Sequence, residues 1–463
     1  MPASPLSRRH FMLQASALAA GASGLRSMMG RHAWAAPAGA TMPERYGPLI
    51  ADPAGIFDLP AGFHYTILSK VGDEMDDGLL VPGKCDGMGA FPGPDGSTIL
   101  VRNHELIPDW TTLGAFGRDF ERLRHIDPAR LYDPGQPGAH ARLGGTSTLV
   151  YDTRTKTLRK QFMSLAGTSY NCAGGITPWG SWLTCEETVD RAGEGGNAKD
   201  HGYVFEVPAT TEIGLVEPRP IRPMGRFMHE AACVDPNTSI VYMTEDRPDS
   251  CIYRYVPFGK EDLHKIGRFQ VLTIQGSPSL DTRNWDNPTG VTVGQKFLAE
   301  WIDLKLTDPG DDSIRARAFE AGAARFARGE GMYWGNDSAY FACTTGGHAQ
   351  KGQVWRYTPE RGKTTGHPYG TLELFIESAS GSVIDNCDNL CVAPWGDVIL
   401  CEDGEGEQFL VGVTPRGECY KLGRNAMSSG ELAGSCFSPD GTTLFVNQQK
   451  NGLTLAITGN WRG

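Results

Sequence analysis

The chain has 463 residues and a net charge of -11, and 40% of its residues are hydrophobic, so it can bury a large core. The acidic balance argues against a nucleic-acid partner, which would require a basic face, and suits hard cations wherever the carboxylates converge. With 59 glycines and 30 prolines, turns dominate and long helices are not expected; large all-β folds often run to this length as one domain.

Ser7-Arg8-Arg9-His10-Phe11-Met12-Leu13 sets paired arginines before a mildly apolar run from Leu13 to Leu25. Ala33-Trp34-Ala35 then offers small residues at the cleavage positions. The pattern predicts a twin-arginine signal over residues 1–35 and passage through the twin-arginine translocase as a folded protein. The mature chain, residues 36–463, is then expected in the periplasm or outside the cell. The apolar run is too short to span a bilayer and no later segment is long enough, so stable membrane insertion is not expected. The eleven cysteines are odd in number and include no C-x-x-C pair, so at least one has a fate other than a disulfide.

Six segments then repeat one layout: a turn with Pro, Gly, Asn or Asp, followed by an apolar strand ending in polar residues. In order they run into Thr98–Arg102, Trp182–Thr184, Ile240–Thr244, Ala339–Cys343, Val398–Cys401 and Leu444–Val446. A small, apolar stretch precedes each turn, which makes each unit a β-hairpin. A third strand follows every hairpin, at Leu149–Asp152, Tyr203–Val207, Ile252–Val256, Val354–Tyr357, Phe409–Val413 and Leu453–Ile457. A fourth follows most of them, for example Leu372–Ile376. Four-stranded antiparallel units repeated in this way predict an all-β fold, a six-bladed β-propeller. The last unit lacks its fourth strand, and Phe63–Leu68 is expected to supply it and close the ring. A long interruption from about Pro257 to Arg328 ends in a predicted helix, Asp312 through Gly329, and is expected to cap one face.

In a blade, the start of the first strand and the end of the second lie at the same end. Asp86, Cys172, Glu230, Glu330 and Asp388 begin first strands. Asn103 with Glu105, Glu186 with Glu187, Glu245 with Asp246, and Glu402 with Asp403 end second strands. The intervals from Cys172 to Glu187, Glu330 to Thr345 and Asp388 to Asp403 are each 15 residues. The acids therefore converge on one mouth of the channel, where they repel one another unless protonated, paired or bound to metal. Carboxylates with an amide oxygen suit calcium, and one thiolate, Cys172, suits a transition metal such as iron. His104 and His229 flank ring positions, pointing outward or toward substrate, but neither lies in zinc-site spacing. Ser435 in Ala433-Gly434-Ser435-Cys436 is not a nucleophile elbow.

Asn171-Cys172-Ala-Gly-Gly175 followed by Thr177-Pro-Trp-Gly-Ser-Trp-Leu-Thr-Cys-Glu-Glu187 resembles the signature of the PhoX alkaline phosphatases. Arg102-Asn103-His104-Glu105, Arg226-Phe-Met-His-Glu230, Thr244-Glu245-Asp246, Arg328-Gly-Glu330 and Asp388-Asn389 support the resemblance in order along the chain. The resemblance implies an exported phosphomonoesterase acting on small phosphate esters, with a ferric pair and calcium ions bridged by an oxo group. It further implies Cys172, Glu230, Glu330 and Asp388 as iron-side ligands, and Glu187 and Asp246 as calcium ligands or as bridging towards calcium. Asn103 and Arg328 would hold the phosphoryl oxygens, and the protein is expected to be a monomer. A phosphodiesterase, a calcium-dependent lactonase-like propeller and a non-catalytic calcium-stabilised binding propeller are the alternatives. Cys172 with Arg328 argues against the last, because structural calcium needs neither.

Overall fold

In a computed structural model, residues 44–259, 262–286, 290–360 and 369–461 are described; the expected signal over residues 1–35 lies outside them. Three strands lead in, β1 (Leu49–Ile50), β2 (Phe57–Pro60) and β3 (His64–Lys70). The first meander is β4 (Cys85–Pro92), β5 (Ser97–His104), β6 (Gly144–Asp152) and β7 (Thr157–Thr168), paired in that order. A three-stranded sheet follows, β8 (Asn171–Ile176), β9 (Ser181–Glu186) and β10 (Val204–Pro208).

The next sheet has nine strands. It begins with β11 (His229–Val234), β12 (Val241–Glu245), β13 (Tyr253–Val256), β14 (Arg268–Ile274) and β15 (Lys296–Asp303). It ends with β16 (Gly329–Gly335), β17 (Ser338–Cys343), β18 (Gln353–Pro359) and β19 (Tyr369–Glu377), and β15 pairs with β19 to join the halves. Then come β20 (Cys387–Val392), β21 (Val398–Glu402), β22 (Phe409–Val413) and β23 (Cys419–Asn425), with β2 and β1 added beyond β23. The last meander is β24 (Leu432–Phe437), β25 (Thr443–Gln448) and β26 (Leu453–Thr458).

Its fourth strand is β3: Leu455 pairs with Ile67 and Ile457 with Tyr65, so the N-terminal segment closes the final sheet as expected. The fold is all-β and propeller-like. The first strands of the meanders touch in succession, β4 with β8, β8 with β11, β11 with β16, β16 with β20, β20 with β24, and β24 with β4 again.

Alternating side chains put one apolar face of each sheet against its neighbour. Phe91, Ile99 and Val101 meet Trp182, Tyr203 and Phe205. Leu183 and Val204 meet Ala232 and Val241. Cys391 and Ile399 meet Leu444 and Val446, and Leu100 and Leu149 meet Cys436 and Phe445, which completes the circuit. All eleven cysteines are free thiols, ten of them buried.

The segment from 257 to 328 departs from expectation. It supplies β14 and β15 to the sheet, so no helical cap forms among its described residues. Alternation in Arg268-Phe-Gln-Val-Leu-Thr-Ile274, with Phe269, Val271 and Leu272 buried, is what draws it into the sheet. The predicted helix shrinks to α1 (Ile314–Glu320), ended by Gly322 at φ +104°. Ala323 and Phe326 then form bridges to Thr273 and Ser250, because burying these residues against the sheet outweighs helix propensity.

Candidate metal centre

The site is built by one backbone device repeated in every meander. Near its start each first strand carries a β-bulge, two residues opposing one on the partner strand. The bulged pairs are Asp86-Gly87, Cys172-Ala173, Glu230-Ala231, Glu330-Gly331, Asp388-Asn389 and Gly434-Ser435. A bulge re-aims its side chains, and the first residue of five of these pairs is an acid or the cysteine. The second residue stays small where neighbouring strands close in. A Cβ on Gly87 would lie 2.5 Å from the Ala173 Cα, and one on Gly331 would lie 2.7 Å from the Asn389 Cα.

Second strands contribute the residue just past their last pair. Strand periodicity separates the neighbouring acids the sequence had grouped together. Glu187 and Glu105 join the cluster and Asp246 and Asp403 lie beside it, whereas Glu186, Glu245 and Glu402 turn away from it. Glu186 accepts from the Ser169, Gly202 and Tyr203 amides and meets His201 Nδ1 at 2.6 Å. Glu245 takes the Tyr253 hydroxyl at 2.8 Å, and Glu402 takes the Asp385 and Phe409 amides. His104 is held by Ser147 and the Gly83 carbonyl; His229 stacks on Phe227 and bonds the Gly225 carbonyl. Both histidines are buried between sheets and serve packing.

Among the described residues, three groups of potential ligand atoms each lie within 4.8 Å of one another: Glu230, Glu330 and Asp388; Glu105, Cys172 and Glu187; and Asp86, Glu105 and Glu431. Asp246 is linked to this centre through Arg328, whose Nε and Nη2 each reach an Asp246 oxygen at 2.7 Å while Nη2 also reaches Glu330 at 2.7 Å. Asn103 is not brought into the cluster. Its Nδ2 donates to the Cys172 and Ala173 carbonyls at 3.0 and 2.7 Å, and its Oδ1 accepts from Trp182 Nε1 at 2.8 Å. With its amide satisfied and fully buried, it fixes the strand that carries Cys172 rather than facing a phosphoryl group.

Burial, then crowding by other acids, raises these carboxyls. Glu230, Glu330, Glu187, Asp86 and Glu431 rise well above the usual range, and Asp388 rises to about 7. Burial, then Glu230 and Asp86, lifts the Cys172 thiol well above its ordinary value. Both Glu230 oxygens and Asp388 Oδ1 are buried without a hydrogen-bond partner. Such orphaned acceptors are costly, and a cation is the partner that satisfies them and restores the charge of the whole set. The residues therefore fit metal: clustered carboxylate oxygens suit hard cations, and a thiol among them suits a transition metal.

The sequence pattern did not lead to Glu431, Gln449 or Lys84. Glu431 enters because blade symmetry breaks at the last bulge. A Cβ on Gly434 would lie 2.3 Å from the Asp86 carbonyl, so no ligand side chain fits there, and the acid comes from just before β24. Gln449 donates to Asp86 and Glu105. Its signal was available, since it stands in the last hairpin where Glu105 and Glu187 stand in theirs.

An all-β, propeller-like scaffold with buried acidic groups and a thiol at one mouth defines a metal-dependent class of protein. The chain belongs to the PhoX alkaline phosphatase family: the family described as alkaline phosphatase PhoX matches residues 44–452. The family is metal-dependent, and its activity is that of a phosphoric monoester hydrolase. No curated relative matches the sequence. Among solved structures, a gluconolactonase from Xanthomonas campestris is 9% identical with a TM-score of 0.37, covering 90% of this chain and 100% of its own. A luciferin-regenerating enzyme is 9% identical at 0.39, covering 86% and 96%. The calcium-binding protein regucalcin from Agrobacterium tumefaciens is 12% identical at 0.39, covering 85% and 96%. Likenesses this distant carry no functional argument. Among the described residues no helix is long and apolar enough to cross a membrane.

Proposed function

We propose that the acidic mouth holds a ferric pair with calcium ions, and that the protein, exported by the twin-arginine route, releases phosphate from small organic phosphate esters in the periplasm or outside the cell. The observation that carries this reading is the set of buried, partnerless oxygens of Glu230 and Asp388 beside Cys172, with Arg328 at the rim. Glu230, Glu330, Asp388 and Cys172 serve the iron side, and Glu187 and Asp246 bind calcium or bridge towards it. When bound, such metals stabilise phosphoryl charge and activate the attacking oxygen.

The chain's own groups do the rest. Arg328, held by Asp246 and Glu330 with its side chain 37% exposed, presents N–H donors to the equatorial phosphoryl oxygens. Asn103 and Trp182 keep the Cys172 strand in register. On this reading residues 36–463 form one six-bladed propeller acting as a monomer. The closed circuit of six first strands supports it, the nine-stranded sheet being two blades joined through β15.

Metal analysis of the purified protein, together with a phosphomonoesterase assay, tests the proposal. Iron with calcium and activity lost on chelation is the expected result. Calcium alone, with no phosphomonoester turnover, would overturn it in favour of a lactonase-like or binding propeller.

A further inference from the structure

The first strands give the two halves of the channel different linings. Each runs from its bulge, at the acidic mouth, to a hairpin turn at the opposite end. Between the bulges and those turns lies a cavity of about 170 Å³, and all six first strands contribute to its wall. Its floor is made by Ala173, Gly331, Asn389 and Ser435, the second members of four bulged pairs. Cys172, Glu330 and Asp388, the first members of three of those pairs, belong to the metal groups. Neighbouring residues in the chain thus divide between the cavity and the centre. Pro178 and Pro236 lie in hairpin turns, are exposed, and mark the opening at the far face.

The chemistry changes as sharply as the position. Among the described residues, the cavity wall carries no acidic, basic or histidine side chain. Burial raises the Cys233 thiol and the Tyr333 hydroxyl, so both stay neutral. The polar side chains of the floor are already engaged. Asn389 Oδ1 accepts from the Gly434 amide at 3.2 Å, its Nδ2 faces Asp86 at 3.5 Å, and the Ser435 hydroxyl reaches Cys391 Sγ at 3.5 Å. A water held in such a space needs about two to four polar partners, and these side chains have little left to offer. What the wall offers instead is sulfur and aromatic surface: Met88, Met332 and Cys233 with Trp182, Tyr333 and Trp334. Sulfur packs favourably at the edge of an aromatic ring, and rings pack edge to face or offset. An apolar cavity of roughly 150 Å³ takes up benzene, so the volume here suits one ring.

We infer that the far half of the channel is a second binding site, for a neutral single-ring aromatic molecule. An occupant rests on Ala173 and Asn389, next in the chain to Cys172 and Asp388, but touches none of the proposed metal ligands. The site therefore goes beyond the phosphatase reading and does not depend on it.

The test is benzene binding to the metal-loaded protein carrying isotope-labelled methionine methyls, followed by NMR. Met88→Leu and Met332→Leu assign the two wall resonances. A ring beside a methyl displaces its resonance, so benzene should shift the Met88 and Met332 signals saturably and leave exposed Met427 in place. Ser435→Leu should weaken binding by about tenfold or more, because the added carbons take up space the ring needs. Ser435→Ala should bind as wild type does. Absence of a saturable shift at both wall methyls overturns the site, and so does a shift confined to other methionines. Benzene affinity unchanged in a folded Ser435→Leu overturns it as well; if that variant does not fold, the wild-type shifts decide alone. The readout needs no turnover, so failure to hydrolyse phosphomonoesters sinks the phosphatase reading and leaves this result standing.

Discussion

Replacing Arg328 with alanine separates its work in the reaction from its work in the fold. The guanidinium spans Asp246 by two bonds and Glu330 by a third, each 2.7 Å. Its side chain is 37% exposed, so solvent screens these pairs and their loss costs at most about 1 kcal/mol of stability. One charge-assisted contact to a transferring phosphoryl group is worth about 3 kcal/mol. At ~1.36 kcal/mol per decade that is about a hundredfold in turnover. Arg328→Ala should therefore melt close to wild type yet turn over a chromogenic phosphomonoester about a hundred times more slowly. Arg328→Lys should recover only part of the rate, because an ammonium lacks the planar fork that reaches two oxygens. The assay is kcat and kcat/KM at matched metal content. Wild-type turnover by Arg328→Ala under those conditions would refute the clamp and leave the arginine as a surface partner of Asp246.

Cys172→Ser should lose iron while the propeller-like fold persists, read by metal analysis beside circular dichroism; unchanged iron with unchanged activity removes the thiol from the centre. Adjacent glutamates should behave oppositely. Glu186→Gln breaks a buried pair with His201 and should cost about 3–5 kcal/mol in denaturant unfolding while folded molecules keep their metal. Glu187→Gln should lose metal without destabilising the metal-free protein. Chelated protein should also become less stable as pH rises. Asp388 is raised to about 7 and its neighbours are raised too, so the folded state holds extra protons. Their contribution is complete below the ordinary carboxylate pKa near 4 and is lost as pH rises through 7 and beyond. Melting temperature against pH should fall across that window for the chelated protein and stay nearly flat for the metal-loaded one.

Much of this was legible from local pattern, because strand alternation and hairpin turns are short-range properties. Third strands such as Val354–Tyr357 and the closing strand near Phe63 to Leu68 fall where the repeat put them. The acids at strand ends were legible for the same reason: a nearly constant interval across a hairpin fixes which residues share an end of the sheet. The segment from 257 to 328 was not legible. A run rich in alanine scores as helix locally, and only its burial turns Ala323 and Phe326 into bridging residues, to Thr273 of β14 and to Ser250 ahead of β13.

The sequence by itself determined the strand repeat, the family and the first-strand members of the acidic ring, Asp86, Cys172, Glu230, Glu330 and Asp388. Tertiary structure decided which neighbour of each acidic pair faces the centre, since that depends on bulge and register, and a shift of one residue reverses a strand's faces. It turned Glu186 toward His201 and Glu187 toward Cys172, and it satisfied Asn103 with two carbonyls and an indole.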